Sequence, residues 1–307
     1  LWLGLPHGLS SADAAESSQP NVVHGAATFN QAGPNWNINA SSNKTVINWH
    51  SFGVPQGSVT NFNLPKPSSM ILNRVTGGLS SGIYGQLNSN GRVFLVNASG
   101  ILIGPSGVIN TRSFAAATLD VEDAAFLATG KMRFSGNTDA TVVNLGTIEA
   151  SDGDVLLLAP QVENHGTILA THGDVALVAA RDVLLTKDNQ VFIQPAEGKV
   201  DGTGVLNSGR IEALRAELLA QGNLYALAIN NEGTVHATGV VREGGKVLLR
   251  ADGGLIRDSG NILAQTVNSD GSTKGGVIEI LAETVALEGE AILNASGDRG
   301  GGQINIG

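Results

Sequence analysis

Acidic side chains beside turn glycines are the first candidates for chemistry in this sequence. Four of them stand in such positions, at Asp152, Asp154, Asp174 and Asp252. Carboxylates that converge on one face would supply the acid and base of a polysaccharide-cleaving enzyme. Aspartate next to glycine also caps turns, which explains all four positions without catalysis. We therefore predict no catalytic site and keep a β-helical polysaccharide-active enzyme as an alternative.

The six histidines raise the question of a metal site. His165 and His172 fall in consecutive turn regions, but no cysteine or paired carboxylate completes a set of ligands around them. Glycine-rich stretches such as residues 202–204 lack the Lys-Ser/Thr pair of a phosphate-binding loop. The sequence thus predicts neither a metal nor a cofactor.

Composition favours an all-β chain that must turn often. The 307 residues include 41 glycines, only 4% are aromatic, and the net charge is −9. Long helices disfavour so much glycine, whereas a fold with a turn every few residues requires it. No cluster of basic residues exists to neutralise phosphates, so we expect no nucleic-acid partner. No apolar run reaches the length of a membrane-spanning helix, and we expect no stable membrane insertion.

A repeated unit, Asn-x-Gly-x-(Ile/Val)-x-Ala followed by a short apolar strand, runs through the second half. Its copies begin at positions with spacings of 20, 43, 24 and 27, namely Asn144, Asn164, Asn207, Asn231 and Asp258. A period of this size without a helix in the unit is typical of a β-solenoid. The sequence therefore predicts an all-β fold, a right-handed parallel β-helix with an N-terminal β cap and extra-helical strands.

The repeat makes specific predictions about neighbouring coils. Ile148 should stack on Ile168 and Leu157 on Leu177, while the repeated asparagines should form an amide ladder. Residues 212–220 could form a helix, but they occupy a strand position of the repeat, and we predict a strand. Residues 181–206 resemble a coil with an inserted loop, centred on residues 187–190 and 194–198.

The first hundred residues lack the repeat, although residues 22–30, 45–50 and 59–63 alternate like amphipathic strands. An open β-helix end exposes unpaired strand edges, so we expect this region to supply a cap. We divide the chain into a leader remnant or flexible tail (1–20), a cap with the first coils (21–130), and further coils (131–307). Because the repeat runs to the last residue, we expect the chain to be the N-terminal part of a longer β-helical protein.

Residues 87–120 alternate short apolar strands with turns, and Asn97-Ala98-Ser99-Gly100 suits a type I turn. This segment and several others resemble, in order, the secretion domain of two-partner secretion exoproteins, the filamentous haemagglutinin and high-molecular-weight adhesin group. The resemblance covers residues 21–120, and its motifs are residues 22–28, 47–52, 73–76, 91–96 and 109–120.

The resemblance implies an exoprotein that crosses the periplasm of a Gram-negative bacterium and is secreted or displayed at the cell surface. It implies capture by an outer-membrane β-barrel transporter with periplasmic POTRA domains. The family's Asn-Pro-Asn-Gly signal falls on residues 97–100, where Asn97 and Gly100 match while Ala98 and Ser99 differ. By resemblance, the predicted recognition residues are Asn97, Ala98, Ser99, Gly100 and Ile101, and the supporting motif residues are Asn73, Arg74, Trp49 and Phe52.

Two functions remain open at this stage. The first is a secretion module that engages the transporter and starts the folding of the β-helix outside the cell. The second is an adhesin that binds a host-surface receptor directly, although the sequence shows no aromatic stripe for that purpose. Receptor binding through regions downstream of this chain is compatible with the first.

Overall fold

The computed structural model describes residues 16–186, 190–194, 198–240 and 244–307, and nearly all of its regular structure is β-strand. The first elements are β1 (Asn21–His24), β2 (Ala27–Ala32), β3 (Asn35–Ala40), β4 (Lys44–Trp49), β5 (Val59–Asn63), β6 (Met70–Val75), β7 (Ser81–Ile83), β8 (Gln86–Ser89), β9 (Arg92–Val96), β10 (Ile101–Ile103), β11 (Val108–Thr111), β12 (Ser113–Ala117), β13 (Asp120–Val121), α1 (Asp123–Leu127), β14 (Met132–Ser135), β15 (Thr141–Asn144), β16 (Thr147–Ala150) and β17 (Val155–Ala159). The remaining elements are β18 (Gln161–Asn164), β19 (Thr167–Ala179), β20 (Asp182–Leu185), β21 (Val191–Ile193), β22 (Thr203–Asn207), β23 (Arg210–Ala220), a 3₁₀ turn (Gly222–Leu224), β24 (Leu227–Asn231), β25 (Thr234–Val240), β26 (Lys246–Asp258), β27 (Asn261–Val267), β28 (Thr273–Gly275), β29 (Val277–Leu287), β30 (Ile292–Asn294), β31 (Ser296–Gly297), β32 (Gly300–Gly301) and β33 (Gln303–Ile306).

Parallel pairing stacks most strands into three sheets, named face 1, face 2 and face 3 in the order in which each coil visits them. Face 1 contains β7, β10, β15, β18, β22, β24 and the C-terminal parts of β26 and β29. Face 2 contains β3, β5, β8, β11, β16, the N-terminal parts of β19 and β23, β25, β27 and β30. Face 3 contains β4, β6, β9, β12, β17, the C-terminal parts of β19 and β23, the N-terminal parts of β26 and β29, and β33. This arrangement is a parallel β-helix, as predicted.

Inward side chains form continuous apolar columns along the interior. Ile148 pairs with Ile168 on face 2, and Leu157 pairs with Leu177 on face 3, all fully buried. Both stacking predictions are confirmed. Residues 212–220 lie in β23, so the prediction of a strand there is also confirmed. Burial of such columns on every coil is the main stabilising contribution in a solenoid.

The amide ladder predicted from the repeat is present at the end of the face 1 strands. Asn144 Nδ2 donates to Asn164 Oδ1 (2.8 Å), and the same bond continues through Asn207 and Asn231 to Asp258, at 2.8, 2.7 and 2.7 Å. All five side chains are completely buried. Each coil is therefore held in register with the next by one polar contact inside the core.

The cap is smaller than the sequence suggested. Among the described residues, β1 and β2 run antiparallel to β4 and β3 at the N-terminal end, and Ser18 forms a further antiparallel bridge to Ser51. Residues 45–50 and 59–63, expected to contribute to the cap, belong instead to parallel faces 3 and 2. In β5 one side is buried and the other partly exposed, whereas in β4 Val46 is also buried, in the apolar layer outside face 3. A sequence without the repeat does not distinguish such coil strands from a cap.

Residues 17 and 18, within the predicted leader or tail over residues 1–20, contact the first coils. Ser17 is buried, and its hydroxyl donates to Gly53 O at 2.8 Å. The Ser18 and Ser51 hydroxyls lie 2.7 Å apart. Residues 1–15, which carry the rest of that prediction, lie outside the described residues.

A second, antiparallel sheet lies outside the β-helix, and we call it the extra-helical sheet. It contains β13, β14, β20 and β21, which the chain forms in two insertions between face 3 and face 1. Side chains of this sheet and α1 pack on the outer side of face 3, including Val121, Phe126, Phe134 and Val183. The loop predicted within residues 181–206 is thus partly the β20–β21 hairpin, while residues 187–189 and 195–197 lie outside the described part. In the described ranges, no helix is long and apolar enough to cross a bilayer.

Candidate functional site: the Asn97–Gly100 corner

The predicted turn at residues 97–100 connects β9 on face 3 to β10 on face 1. The Gly100 N–H donates to Asn97 O at 3.1 Å, which closes the turn. The Ser99 N–H donates to Asn97 Oδ1 at 2.9 Å, so the asparagine side chain also holds the turn from within. Gly100 has a φ of +112°, a backbone conformation that favours glycine. The prediction of a turn is confirmed, and two of its four residues are needed to build it.

Asn97 is only 1% exposed and is pinned to the preceding coil. Its Nδ2 donates to Leu79 O and to Ser81 Oγ, both at 2.9 Å. The Ser81 N–H in turn donates to Gly100 O at 2.9 Å. Neither Gly100 nor Ile101 is exposed either. In the folded domain, Ala98 and Ser99 are thus the only two of the five predicted recognition residues whose side chains face solvent.

The turn is also tied to the extra-helical sheet. The Thr138 hydroxyl donates to Ala98 O at 2.7 Å, and Arg181 Nη1 donates to Thr138 O at 2.7 Å. Arg181 directly precedes β20. Sequence reasoning missed Thr138 and Arg181, since both lie in insertions that carry no repeat. The corner is consequently braced on both sides, by the coil before it and by the insertion after it.

Three of the supporting motif residues lie in the core rather than on the surface. Trp49 Nε1 donates to Asn73 Oδ1 at 3.0 Å, and both side chains are completely buried. The ring centroids of Trp49 and Phe52 are 5.2 Å apart with their planes at 68°, in an edge-on contact. These motif residues stabilise the first coils, and they offer no surface to a partner in the folded domain.

Arg74 joins the motif to the first insertion. It pairs in register with Val96, the residue before the turn. Its Nε donates to Asp120 at 2.8 Å and its Nη1 to Asp123 at 2.6 Å. Burial alone would lower the pKa of Arg74, but hydrogen bonds and charges from the two aspartates outweigh it and raise the pKa. Arg74 therefore remains charged and holds β13 and the start of α1 against face 3.

Lys44 performs a related task at the other end of α1, and sequence reasoning did not find it. Its Nζ donates to the backbone oxygens of Phe126 and Leu127, at 2.8 and 3.1 Å. A cation at a helix C-terminus satisfies carbonyls that lack partners within the helix. Arg74 and Lys44 together fix the first insertion at both ends.

The acidic residues behave as turn and ion-pair partners. Asp154 Oδ1 accepts the Asp174 N–H at 2.8 Å, and Asp152 and Asp252 pair with Arg112 and Arg250 at 2.5 and 2.8 Å. His165 contacts Ser208 at 2.7 Å and Glu163 at 3.0 Å. Within the described residues, no group of three or more His, Asp or Glu is placed to hold a metal ion.

Stacked parallel coils, an antiparallel cap and a braced corner define a capped parallel β-helical domain. A family model described as "TPS secretion domain" matches residues 12–301. The chain belongs to the two-partner secretion (TPS) domain family, as the resemblance in its motifs suggested.

Relatives and solved structures agree with this assignment. Two proteins of Haemophilus influenzae described as "Heme/hemopexin-binding protein" are 32% and 30% identical over 80% and 75% of this chain. The chain spans only 28% and 27% of their lengths. The HMW1 secretion domain from Haemophilus influenzae superposes with a TM-score of 0.75 at 28% identity, covering 95% of this chain and 76% of that one. A filamentous hemagglutinin secretion domain shares the fold, with a TM-score of 0.53 at 14% identity over 92% of this chain and 96% of the other.

Proposed function

We propose that this chain is the N-terminal secretion domain of a large, adhesin-like exoprotein and has no catalytic activity of its own. A POTRA-bearing outer-membrane β-barrel transporter recognises it in the periplasm of a Gram-negative bacterium. The exoprotein is then secreted or displayed at the cell surface. The family match over residues 12–301 supports this, as does the short share of the relatives' length that the chain spans.

The observation that carries the proposal is the exposed pair Ala98–Ser99 on a rigid corner. Bonds from Asn97, Gly100 and Thr138 fix the backbone of the pair from three sides. When a partner binds a preformed turn, the turn loses little conformational entropy. Because the Ala98 and Ser99 side chains are small and uncharged, the transporter recognises the shape and the backbone groups of this corner.

The same domain supplies a template for folding outside the cell. Each coil covers the one before it, and Ile278 and Ile280 are fully buried where they pair in register with Ile304 and Ile306. Adding a coil in this way gains about 25 cal/mol for each Å² of apolar surface buried. Coil-by-coil growth of this kind favours outward movement without ATP. Refolding the exoprotein with and without residues 1–307 tests this step, since the shortened protein should fold more slowly.

Binding of the purified domain to the periplasmic region of its transporter tests the recognition step. Ser99→Glu places a charge on the proposed contact, and Ser151→Glu places the same charge on an exposed turn between faces 2 and 3. We expect Ser99→Glu to weaken binding at least tenfold and Ser151→Glu to leave it within twofold of the wild type. Equal binding by the two variants would refute recognition through this corner.

A second candidate is direct contact with a host molecule. The relatives' description as heme- or hemopexin-binding, together with 32% identity over 80% of this chain, supports testing it. Titration of purified 1–307 with hemin and with hemopexin, and binding to host cells, would show whether this activity lies in the chain itself. Absence of binding in all three assays would assign receptor contact to other parts of the exoprotein.

A further inference from the structure

A groove runs along the outer edge of the extra-helical sheet, between β21 and face 3. Its volume is about 630 Å³, and Val191 and Ile193 form one wall. Leu219, Leu248 and Glu217, which pairs in register with Leu248, form the floor on face 3, and Arg215 and Arg250 line the groove beside them. Val191, Ile193 and Leu248 pack on the apolar layer between the two sheets, so the groove continues an established interface.

The wall of the groove is an open strand edge. Among the described residues, β21 pairs only with β20. Gln194 N–H donates to Asp182 O, and Thr186 N–H donates to Gln190 O. In an antiparallel pair, the hydrogen-bonding residues alternate along the strand. The N–H and C=O groups of Val191 and Ile193 must therefore point away from β20, toward the groove.

The space between β21 and face 3 is suited to one additional strand. Face 3 continues beneath the groove from β23 to β26 and β29, because these strands pair in register. Stacked sheets lie about 10 Å apart and neighbouring strands about 4.8 Å apart. A strand added beside β21 would thus lie above Leu248, with alternate side chains directed at Leu219 and Leu248.

The groove is connected to the corner at residues 97–100. The insertion that carries β20 and β21 leaves the β-helix at the same edge, three coils after the turn. At about 4.8 Å for each coil, the separation along the axis is about 14 Å. The hydrogen bonds from Thr138 to Ala98 and from Arg181 to Thr138 link the two places.

We propose that the open edge of β21 receives one extended strand from the periplasmic region of the transporter, which pairs with Val191 and Ile193 while Ala98–Ser99 occupies a second contact. The incoming strand carries apolar side chains at alternate positions, which pack on Leu219 and Leu248. Main-chain pairing supplies affinity, and contact with Leu219 and Leu248 favours a strand whose facing side chains are apolar. The inference rests on the proposed function, since it names the transporter as the partner.

Two matched substitutions at one residue test the pairing. Val191→Pro removes an outward N–H that the domain itself does not use, whereas Val191→Ala shortens the side chain and keeps the backbone group. We expect Val191→Pro to weaken binding of the purified transporter periplasmic region at least tenfold and Val191→Ala to remain within threefold. Binding of the wild-type domain should also slow hydrogen exchange at the amides of Val191 and Ile193.

Leu248→Lys provides an independent test, because it places a charged side chain on the floor of the groove and leaves the sequence of β21 unchanged. It too should weaken binding at least tenfold, with thermal unfolding of each variant as the check on folding. Wild-type affinity in folded Val191→Pro and Leu248→Lys, together with loss of binding in Ser99→Glu, would overturn the strand proposal alone. Absence of binding by the wild-type domain would overturn the proposed function with it.

Discussion

The indole nitrogen of Trp49 donates a hydrogen bond of 3.0 Å to the side-chain oxygen of Asn73, and neither side chain is exposed to solvent. Asn73 Nδ2 also approaches Phe94 O at 3.4 Å. One buried amide thus connects three successive strands of face 3, β4, β6 and β9. Two residues of the family motifs act together as a polar clamp within the core.

Removing this clamp should destabilise the domain. Asn73→Ala leaves the Trp49 N–H buried without a partner, at a cost of about 1–3 kcal/mol in the free energy of unfolding. Trp49→Phe and the double variant complete a double-mutant cycle by chemical denaturation. The double variant should cost less than the sum of the single variants, and full additivity would contradict the clamp. Asn63→Ala, at an exposed amide of face 2, is the control and should cost much less.

Substitutions in the turn should separate its structural residues from its exposed ones. Asn97→Ala removes the bonds to Leu79 and Ser81, and we expect a loss of about 1–3 kcal/mol in thermal or chemical unfolding. Ala98→Pro should raise the free energy of unfolding by about 0.4–1 kcal/mol, because proline restricts the unfolded chain and presets φ at the second turn position. A destabilising Ala98→Pro would mean that the backbone of this turn differs from the structure.

Arg74→Ala should loosen the first insertion more than the rest of the domain. Asp120 and Asp123 lose their shared partner, so hydrogen exchange should accelerate in β13 and α1 while the amides of β9 stay protected. We expect a cost of about 1.5–3 kcal/mol in the free energy of unfolding, the range for hydrogen bonds to charged groups. Arg133→Ala, which breaks an exposed ion pair with Asp182 in the same sheet, is the control. Equal exchange in both variants would contradict the role given to Arg74.

Asp258 at the end of the amide ladder should make stability depend on pH. Burial raises its pKa, and hydrogen bonds from Asn231 and Gly260 only partly oppose the shift. Its Oδ2 has no partner among the described residues, and the next residue in register is Leu287. Because the folded-state pKa lies above the unfolded value of about 3.9, the folded state binds the proton more tightly. The contribution of Asp258 to the free energy of unfolding is therefore complete below the unfolded-state pKa. It is lost as the pH rises through the folded-state pKa.

Asp258→Asn removes this titration. The free energy of unfolding of the variant, relative to the wild type, should therefore increase as the pH is raised from about 4 toward neutrality. Denaturant titrations at a series of pH values measure the difference. Asp252→Asn, at an exposed carboxylate, controls for the loss of one charge. A difference independent of pH would show that Asp258 is not the group responsible.

The repeat explains why so much of the fold was predictable from the sequence. Each copy repeats the same inward residues, so the Ile148–Ile168 pair and the asparagine ladder follow from one assumption, that copies stack in register. The turn at residues 97–100 was predictable because asparagine and glycine have fixed roles in turns.

The remaining features depend on contacts between segments that carry no period. Strands β14 and β20 pair with Arg133 opposite Leu184, and the Arg133 side chain bonds to Asp182, 49 residues away in the chain. No local sequence pattern connects these segments. The bonds from Thr138 to Ala98 and from Lys44 to α1 arise only after these insertions have folded back. For the same reason, sequence reasoning did not anticipate the burial of Asn97, which depends on the position of Leu79 in the preceding coil.

Export itself is the most direct test of the central claim that the exposed pair Ala98–Ser99 is what the transporter recognises. Cells that carry the cognate transporter would express the full exoprotein as wild type, Ala98→Glu/Ser99→Glu or Ser151→Glu, and the amount exported would be measured for each. The account predicts at least a tenfold loss of export for the double variant, normal export for Ser151→Glu, and unchanged thermal unfolding of both purified domains. Wild-type export of the double variant would contradict it.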